Sequence, residues 1–169
     1  MILTRQERIT EALPHFRIAE KAHPEDPEIL AGLGWTFQKL NHHEKAIRYY
    51  QQAVRLDPSN LQAQQALGEL WDITRKYDRA IEAYETAIKL NPESPDNYFH
   101  LGRLYDHLKQ GEKAVWSMAL AEPLFRKRHD PEMAAHCRKN VTILARKYRL
   151  SSQKVRQLTQ SMAGEKGRT

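Results

Sequence analysis

The chain has 169 residues, of which 40% are apolar and 28% are charged, and its net charge is +6. The single cysteine, Cys137, excludes an intramolecular disulfide and a cysteine-based zinc site, and it favours a reducing compartment. No apolar run approaches the ~20 residues that cross a bilayer, so the sequence predicts no transmembrane segment.

Residues 1–26 are predicted to form one helix that belongs to a larger pattern. Its small, aromatic and proline residues recur 34 positions later as the same or similar types: Ala12, Phe16, Ala19 and Pro24 precede Ala46, Tyr50, Ala53 and Pro58. The first half of this unit would fall before Met1, which predicts a partial repeat, either as a natural start or as part of a longer array. Pro14 removes one backbone hydrogen bond, so we expect this helix to fray or kink.

The central part of the chain repeats with a period of 34 residues. Each of three copies has a Leu-Gly pair followed by an aromatic residue, and later an alanine, a bulky residue and a second alanine. The first copy has Leu33, Gly34, Phe37, Ala46, Tyr50 and Ala53. The second has Leu67, Gly68, Trp71, Ala80, Tyr84 and Ala87, and the third has Leu101, Gly102, Tyr105, Ala114, Met118 and Ala121. Pro58 and Pro92 close the first two copies. The third copy has Arg126 at that position, and Pro123 falls inside its second helix.

Capping residues mark the predicted helix starts. Asp26, Asn60, Ser94 and Asp130 can each accept a hydrogen bond from a free N–H group, and proline follows three of them, where it costs nothing. Short turns at Asn41-His42-His43, Arg75-Lys76 and Gln110-Gly111 join two helices within each copy and predict antiparallel pairs.

Glycine in the middle of a helix needs a reason, because it costs ~1 kcal/mol relative to alanine. Gly34, Gly68 and Gly102 are therefore predicted to allow close approach of the partner helix. The aromatic residues of the repeats are predicted to fill the core and not to bind a ligand.

The strict repeat ends near residue 128. Met133, Cys137, Val141, Leu144 and Tyr148 form one apolar stripe of helical spacing, which predicts a long capping helix over 131–149. A second helix is predicted over 152–162, with Val155, Leu158 and Met162 facing inward. The tail, 164–169, is predicted to be disordered.

The 34-residue period with its Leu-Gly, alanine and aromatic positions resembles the tetratricopeptide repeat. The resemblance implies an all-α fold, a right-handed superhelix of antiparallel helix pairs (an α-solenoid) with C-terminal capping helices. The expected organisation is a partial repeat in 1–26, repeats in 27–60, 61–94 and 95–128, capping helices in 129–163 and the tail.

The resemblance also implies a concave groove lined by the first helix of each repeat, which would bind a peptide or partner helix. The predicted partner-binding residues combine two aromatic anchors with polar groups: Trp35, Gln38, Gln65, Glu69, Asp72, Phe99, Arg103 and Asp106. One subgroup of the family clamps a C-terminal carboxylate with Lys and Asn, but those positions hold other residues here: Ala31, Trp35, Ala66, Asp96 and His100. We therefore expect no binding of an acidic C-terminal tail of the chaperone type.

No pattern predicts catalysis, a metal or a cofactor. His100 and His107 lack further ligands at suitable spacing. His136 and Cys137 are adjacent and would point to different sides of a helix. Phosphate-binding loops and hydrolase motifs are absent from the sequence. We predict that the chain is not an enzyme.

The C-terminal end carries most of the positive charge. Residues 126–169 hold twelve Lys and Arg against three Asp and Glu. A basic patch is predicted on the capping helices, at Arg138, Lys139, Arg146, Lys147 and Arg149. Such a patch could be a solvated cap, or it could bind an acidic protein, nucleic acid or an anionic surface.

The function that the sequence predicts is a cytoplasmic scaffold or adaptor that binds a protein or peptide partner. Nucleic acid is the less expected partner, and the oligomeric state is not predicted. Two alternatives stay open: binding of nucleic acid or an anionic surface through the basic end, or a scaffold or chaperone part of a larger enzyme or secretion assembly. The layout also resembles small secretion chaperones with three such repeats.

Overall fold

A computed structural model describes the backbone of residues 3–165 and the side chains of residues 9–160. This part of the chain contains nine helices and no strand, which confirms the predicted all-α fold. The helices are α1 (Leu3–Ala22), α2 (Pro27–Lys39), α3 (His43–Leu56), α4 (Leu61–Ile73), α5 (Tyr77–Leu90), α6 (Pro95–His107), α7 (Gly111–Lys127), α8 (Pro131–Lys147) and α9 (Ser152–Glu165). They form two compact units, unit 1 of residues 1–90 and unit 2 of residues 91–169.

Three of the four side-chain caps that the sequence predicts are present in the structure. The Asp26 carboxylate accepts hydrogen bonds from the N–H groups of Glu28 and Ile29 at 2.8 and 3.2 Å. Asn60 caps α4 and Asp130 caps α8 in the same way, at 2.9 and 3.0 Å. Ser94 makes no such hydrogen bond, so the prediction of a side-chain cap was wrong there. The helix α6 still begins at Pro95, whose fixed φ suits the first helical position.

The same tight turn follows helices in both units. A single residue takes the left-handed conformation, with φ between 54° and 61°, at Asn41, Arg75, Lys109, His129 and Arg149. The next N–H group bonds back to a carbonyl five residues earlier, for example His42 to Phe37 and Asp130 to Phe125, both at 2.9 Å. This is the Schellman arrangement, which closes a helix end.

The predicted turn at Gln110-Gly111 is displaced in the structure. Its left-handed residue is Lys109, and Gly111 is already the first residue of α7. Glycine is required at this position for space and not for its conformation. A Cβ atom on Gly111 would lie 2.1 Å from Cγ of Tyr148, whose ring covers the backbone there.

Within unit 1, glycine and an aromatic ring pack face to face inside each helix pair. A Cβ atom on Gly34 would lie 2.9 Å from the ring of Tyr50, and one on Gly68 would lie 2.8 Å from the ring of Tyr84. Both tyrosines are about 1% exposed. The predicted reason for the glycines, close approach of the partner helix, is therefore what the structure shows.

The helix α1 packs on α2 and runs through Pro14 without interruption. Phe16 of α1 lies against Gly32, where a Cβ atom would be 2.3 Å from its ring. The partial repeat predicted for residues 1–26 thus supplies one helix to the core of unit 1.

Within unit 2, α7 is the central helix. It packs against α6, α8 and α9, and Val115 and Phe125 on it are fully buried. Gly102 of α6 approaches Met118 of α7 as the corresponding residues do in unit 1. The helix α9 reaches Glu165, two residues into the predicted tail, and positions 166–169 lie outside the described residues.

Candidate protein-interaction surface

Trp35 is the most prominent side chain on the predicted surface of unit 1. It lies on α2, remains 39% exposed, and has the Lys39 Nζ atom 5.9 Å from its ring centroid. Most large apolar side chains of α2 are buried, because α2 packs against α1 and α3. An exposed indole next to a cation is a possible anchor for a partner.

A chain of hydrogen bonds holds two further predicted residues in place. The buried Tyr50 hydroxyl of α3 donates to Gln38 Oε1 at 3.1 Å, and Gln38 Nε2 donates to Glu69 Oε2 of α4 at 3.2 Å. Burial, followed by the nearby Glu69 carboxylate, raises the pKa of Tyr50, so this hydroxyl stays a donor. The polar face of α2 and α4 is therefore ordered before any partner arrives.

The other predicted residues of unit 1 lie on the same helix, α4. Gln65 and Asp72 are half-buried, and Glu69 between them is exposed. Next to Asp72, Ile73 is 58% exposed. We call the surface formed by Trp35, Gln38, Gln65, Glu69, Asp72 and Ile73 the α2–α4 face.

Unit 2 uses its predicted partner-binding residues differently. Phe99 of α6 is half-buried, with its ring centroid 6.3 Å from that of Phe125 on α7 and 5.6 Å from that of His136 on α8. The predicted second aromatic anchor is thus packed among side chains of its own unit.

Asp106 is also held within unit 2. The Lys147 Nζ atom lies 2.7 and 2.9 Å from its two carboxylate oxygens, and the Tyr148 hydroxyl donates to one of them at 2.8 Å. Partial burial alone would raise the pKa of Asp106, but the hydrogen bonds from Lys147 and Tyr148 outweigh it and keep that pKa below its ordinary value. Arg103, on the same helix, is exposed.

Sequence reasoning missed the role of Tyr148. Its hydroxyl also donates to the Asp106 carbonyl at 3.0 Å, while its ring lies on Gly111. The end of α8 is thereby fastened to the turn between α6 and α7. The only sequence signal was an aromatic residue at the end of the α8 stripe, and nothing in the pattern pairs it with Gly111.

Among the described residues, only some members of the predicted basic patch form ion pairs with acidic residues of unit 2. Arg138 donates to Glu122 of α7 at 2.7 Å, and Arg126 donates to the same carboxylate. Partial burial would raise the pKa of Glu122, but these two hydrogen bonds hold it below its ordinary value. Lys147 binds Asp106, so two of the five patch residues neutralise acids of their own unit. Lys139, Arg146 and Arg149 are exposed.

The described residues offer little for chemistry. Cys137 is fully buried, and burial is the main cause that raises the pKa of its thiol to about 11. Its neighbour His136 is exposed and lies against Phe99. No group of three or more possible metal ligands occurs among the described side chains. Within the same part of the chain, no helix is long and apolar enough to cross a membrane.

Comparison with protein families identifies the repeats. A model of the tetratricopeptide repeat matches residues 27–60, and a second TPR repeat model matches residues 76–108. The chain therefore contains tetratricopeptide repeats in these two regions, as the resemblance predicted. No curated protein matches the sequence.

Solved structures share the fold at low sequence identity. The chain is similar to MamA from Desulfovibrio magneticus RS-1, with a TM-score of 0.66 and 22% identity over 85% of this chain and 89% of that one. It is similar to the Yersinia enterocolitica type III secretion translocator chaperone SycD, with a TM-score of 0.66 and 20% identity over 73% and 86% of the two chains. PcrH, in complex with the chaperone binding region of PopD, gives a TM-score of 0.66 and 18% identity over 71% and 91%. At these identities the likeness establishes the fold.

Proposed function

We propose that this chain is a non-catalytic scaffold that binds a segment of another protein on the α2–α4 face, with Trp35 as its anchor. The observation that carries the proposal is the exposed indole of Trp35 on a helix whose other large apolar residues are mostly buried. Tryptophan is enriched among the residues that dominate binding energy at protein interfaces.

The polar part of the face suits a directional contact. Gln38 accepts a hydrogen bond from Tyr50 and donates one to Glu69, so binding would cost less ordering of these two side chains. Glu69 and Asp72 give α4 an acidic character, while Lys39 lies beside Trp35. The partner segment that fits best carries an apolar side chain for Trp35 and Ile73 and a basic side chain for the carboxylates.

The similar structures support a role in protein binding. PcrH is seen in complex with a region of PopD, and SycD is a translocator chaperone. The carboxylate clamp is missing from the sequence, so we still expect no acidic C-terminal tail on this face. The buried thiol of Cys137 agrees with a reducing compartment such as the cytoplasm.

The test begins with a peptide selected for binding from a displayed random library. Its affinity is then measured by calorimetry for the natural chain and for Trp35→Ala. We expect the substitution to weaken binding by at least about tenfold, as for other interface anchors. Ile18→Ala is the matched control, because Ile18 is 67% exposed and lies on α1, which contributes no residue to the α2–α4 face. Equal affinity of the Trp35→Ala variant, or an equal loss in the control, would place the binding site elsewhere.

A further inference from the structure

The last two helices diverge and leave an open cleft. The turn at Tyr148–Leu150 ends α8, and α9 then packs mainly against α7. Lys154 of α9 reaches Glu112 of α7, with the Nζ and Oε2 atoms 2.9 Å apart. Because α9 covers α7 and not α8, a cleft of about 600 Å³ remains between α8 and α9. A volume of this size is typical of binding pockets.

The floor of this α8–α9 cleft is apolar. Val141 and Ala145 of α8, Leu150 of the turn and Val155 of α9 line it, and all four are half-buried. Their side chains are recessed between two helices, so a partner must insert apolar groups to cover them.

The rim of the cleft is basic and lacks acids. Arg146, Arg149 and Arg156 line it, and all three are exposed. Among the described side chains, none of these three guanidinium groups takes part in an ion pair. Arg138 and Lys147 of α8, by comparison, each have a carboxylate partner. The lining contains no Asp or Glu. The three arginines therefore keep their charge available for a ligand.

We propose that the α8–α9 cleft is a second docking site, distinct from the α2–α4 face, for an acidic amphipathic segment of a partner protein. The apolar side chains of the segment would rest on the floor, and its carboxylates would pair with the arginines, whose planar donors suit carboxylates. A cleft between two helices suits a partner helix with one apolar face.

Other anionic partners fit this cleft less well. No aromatic side chain lines it, so bases of a single-stranded nucleic acid would have nothing to stack on. The half-buried floor is recessed below the arginines, whereas binding to a bilayer surface needs protruding apolar groups. The combination of recessed apolar floor and basic rim favours an acidic polypeptide.

The test uses a synthetic helical peptide with leucine on one face and glutamate on the other, labelled for fluorescence anisotropy. The full chain should bind it with micromolar affinity, and added salt should weaken the binding. The triple variant Arg146→Gln, Arg149→Gly and Arg156→Gln should bind at least about tenfold more weakly. Glycine is chosen at 149 because this residue has φ of 54°, so the turn is kept.

A matched control removes the same charge elsewhere. Arg75 has φ of 59° in the corresponding turn of unit 1, so the control variant combines Arg75→Gly with Arg79→Gln and Lys89→Gln on the exposed surface of α5. It should bind the peptide as the natural chain does. The double variant Arg146→Gln and Arg156→Gln leaves the turn untouched and should still lose most of the affinity.

Several results would overturn this assignment. One is an equal loss of peptide affinity in the control variant. Another is unchanged affinity for a peptide in which glutamine replaces the glutamates, or for one in which glutamine replaces the leucines. A third is that an oligonucleotide or phosphatidylserine vesicles bind more tightly than the peptide and that the triple variant abolishes this binding. The cleft would then serve another class of partner. Trp35→Ala should leave this binding unchanged, which separates the outcome from that of the α2–α4 face.

Discussion

The two units of this protein present their predicted partner-binding residues in different ways. In unit 1, Trp35 is exposed, and Gln38 and Glu69 form an ordered polar surface. In unit 2, Phe99 packs against Phe125 and His136, and Asp106 is bound by Lys147 and Tyr148. Of the two aromatic residues predicted as anchors, Trp35 is thus exposed in unit 1, whereas Phe99 is packed among side chains of unit 2.

The cause of the difference is the helix that follows α7. The turn at His129 has the same left-handed geometry as the turns inside the repeats, and α8 returns directly along α7. The helix α8 then supplies His136, Lys147 and Tyr148 to the surface of α6. A terminal helix that needs its own apolar face covered competes with a partner for the repeat surface.

The largest expected effect tests the packing inside a repeat. Gly68→Leu places a side chain where Tyr84 already lies, since even a Cβ atom would be 2.8 Å from its ring. We expect the free energy of unfolding to fall by several times the ~1 kcal/mol typical of point substitutions. Denaturant unfolding measures this loss. Glu82→Leu, at an exposed position of α5, is the control, and similar stabilities of the two variants would refute the packing role.

The next effect sharpens the comparison between the units directly. Phe99→Ala should lower the free energy of unfolding by about 2–3 kcal/mol, because it removes a ring packed against two others. Trp35→Ala should lower it by less than about 1 kcal/mol, because Trp35 is 39% exposed. Both are measured by urea unfolding. Equal losses in the free energy of unfolding would mean that Trp35 and Phe99 contribute equally to stability, which would contradict this comparison.

Acid should weaken unit 2 through two carboxylates. Asp106 and Glu122 have lowered pKa values in the folded chain, so their contribution to stability is present above the ordinary values of 3.8 and 4.5 and is lost as the pH falls through the lowered ones. The variant Asp106→Asn with Glu122→Gln should be less stable at pH 7 and should lose less stability on acidification. Melting temperatures between pH 7 and pH 3 test this, and parallel pH profiles of variant and natural chain would contradict it.

The smallest effect concerns the turns. His129→Gly should raise the free energy of unfolding by roughly 0.5–1 kcal/mol, because the left-handed conformation disfavours a side chain. Asn41→Gly should give a smaller gain, since asparagine tolerates this conformation better. Thermal unfolding of both variants shows which of the two gains in stability is larger. A loss of stability in His129→Gly would show that the imidazole contributes contacts of its own.

Much of the fold follows from local sequence. The 34-residue period, the caps Asp26, Asn60 and Asp130, and the glycines opposite Tyr50 and Tyr84 predict the helix pairs. Local chemistry suffices there, because each helix start depends on a capping residue two or three positions away and each close approach joins two successive helices. The candidate site is predicted less completely. Trp35 and Phe99 lie at different positions of the repeat, and both are predicted as exposed anchors, but only Trp35 is exposed.

The sequence by itself determined the repeat, the all-helical class and the basic character of the last 44 residues. Only the tertiary structure decided that Phe99 and Asp106 face α8, that Tyr148 covers Gly111, and that three of the arginines line a cleft. The physical reason is that the contacts of Phe99, Asp106 and Tyr148 join residues about 40 positions apart with no shared period, and that the cleft lies between two helices whose directions no local pattern fixes. They depend on how α8 and α9 leave their turns, and local patterns do not encode that direction.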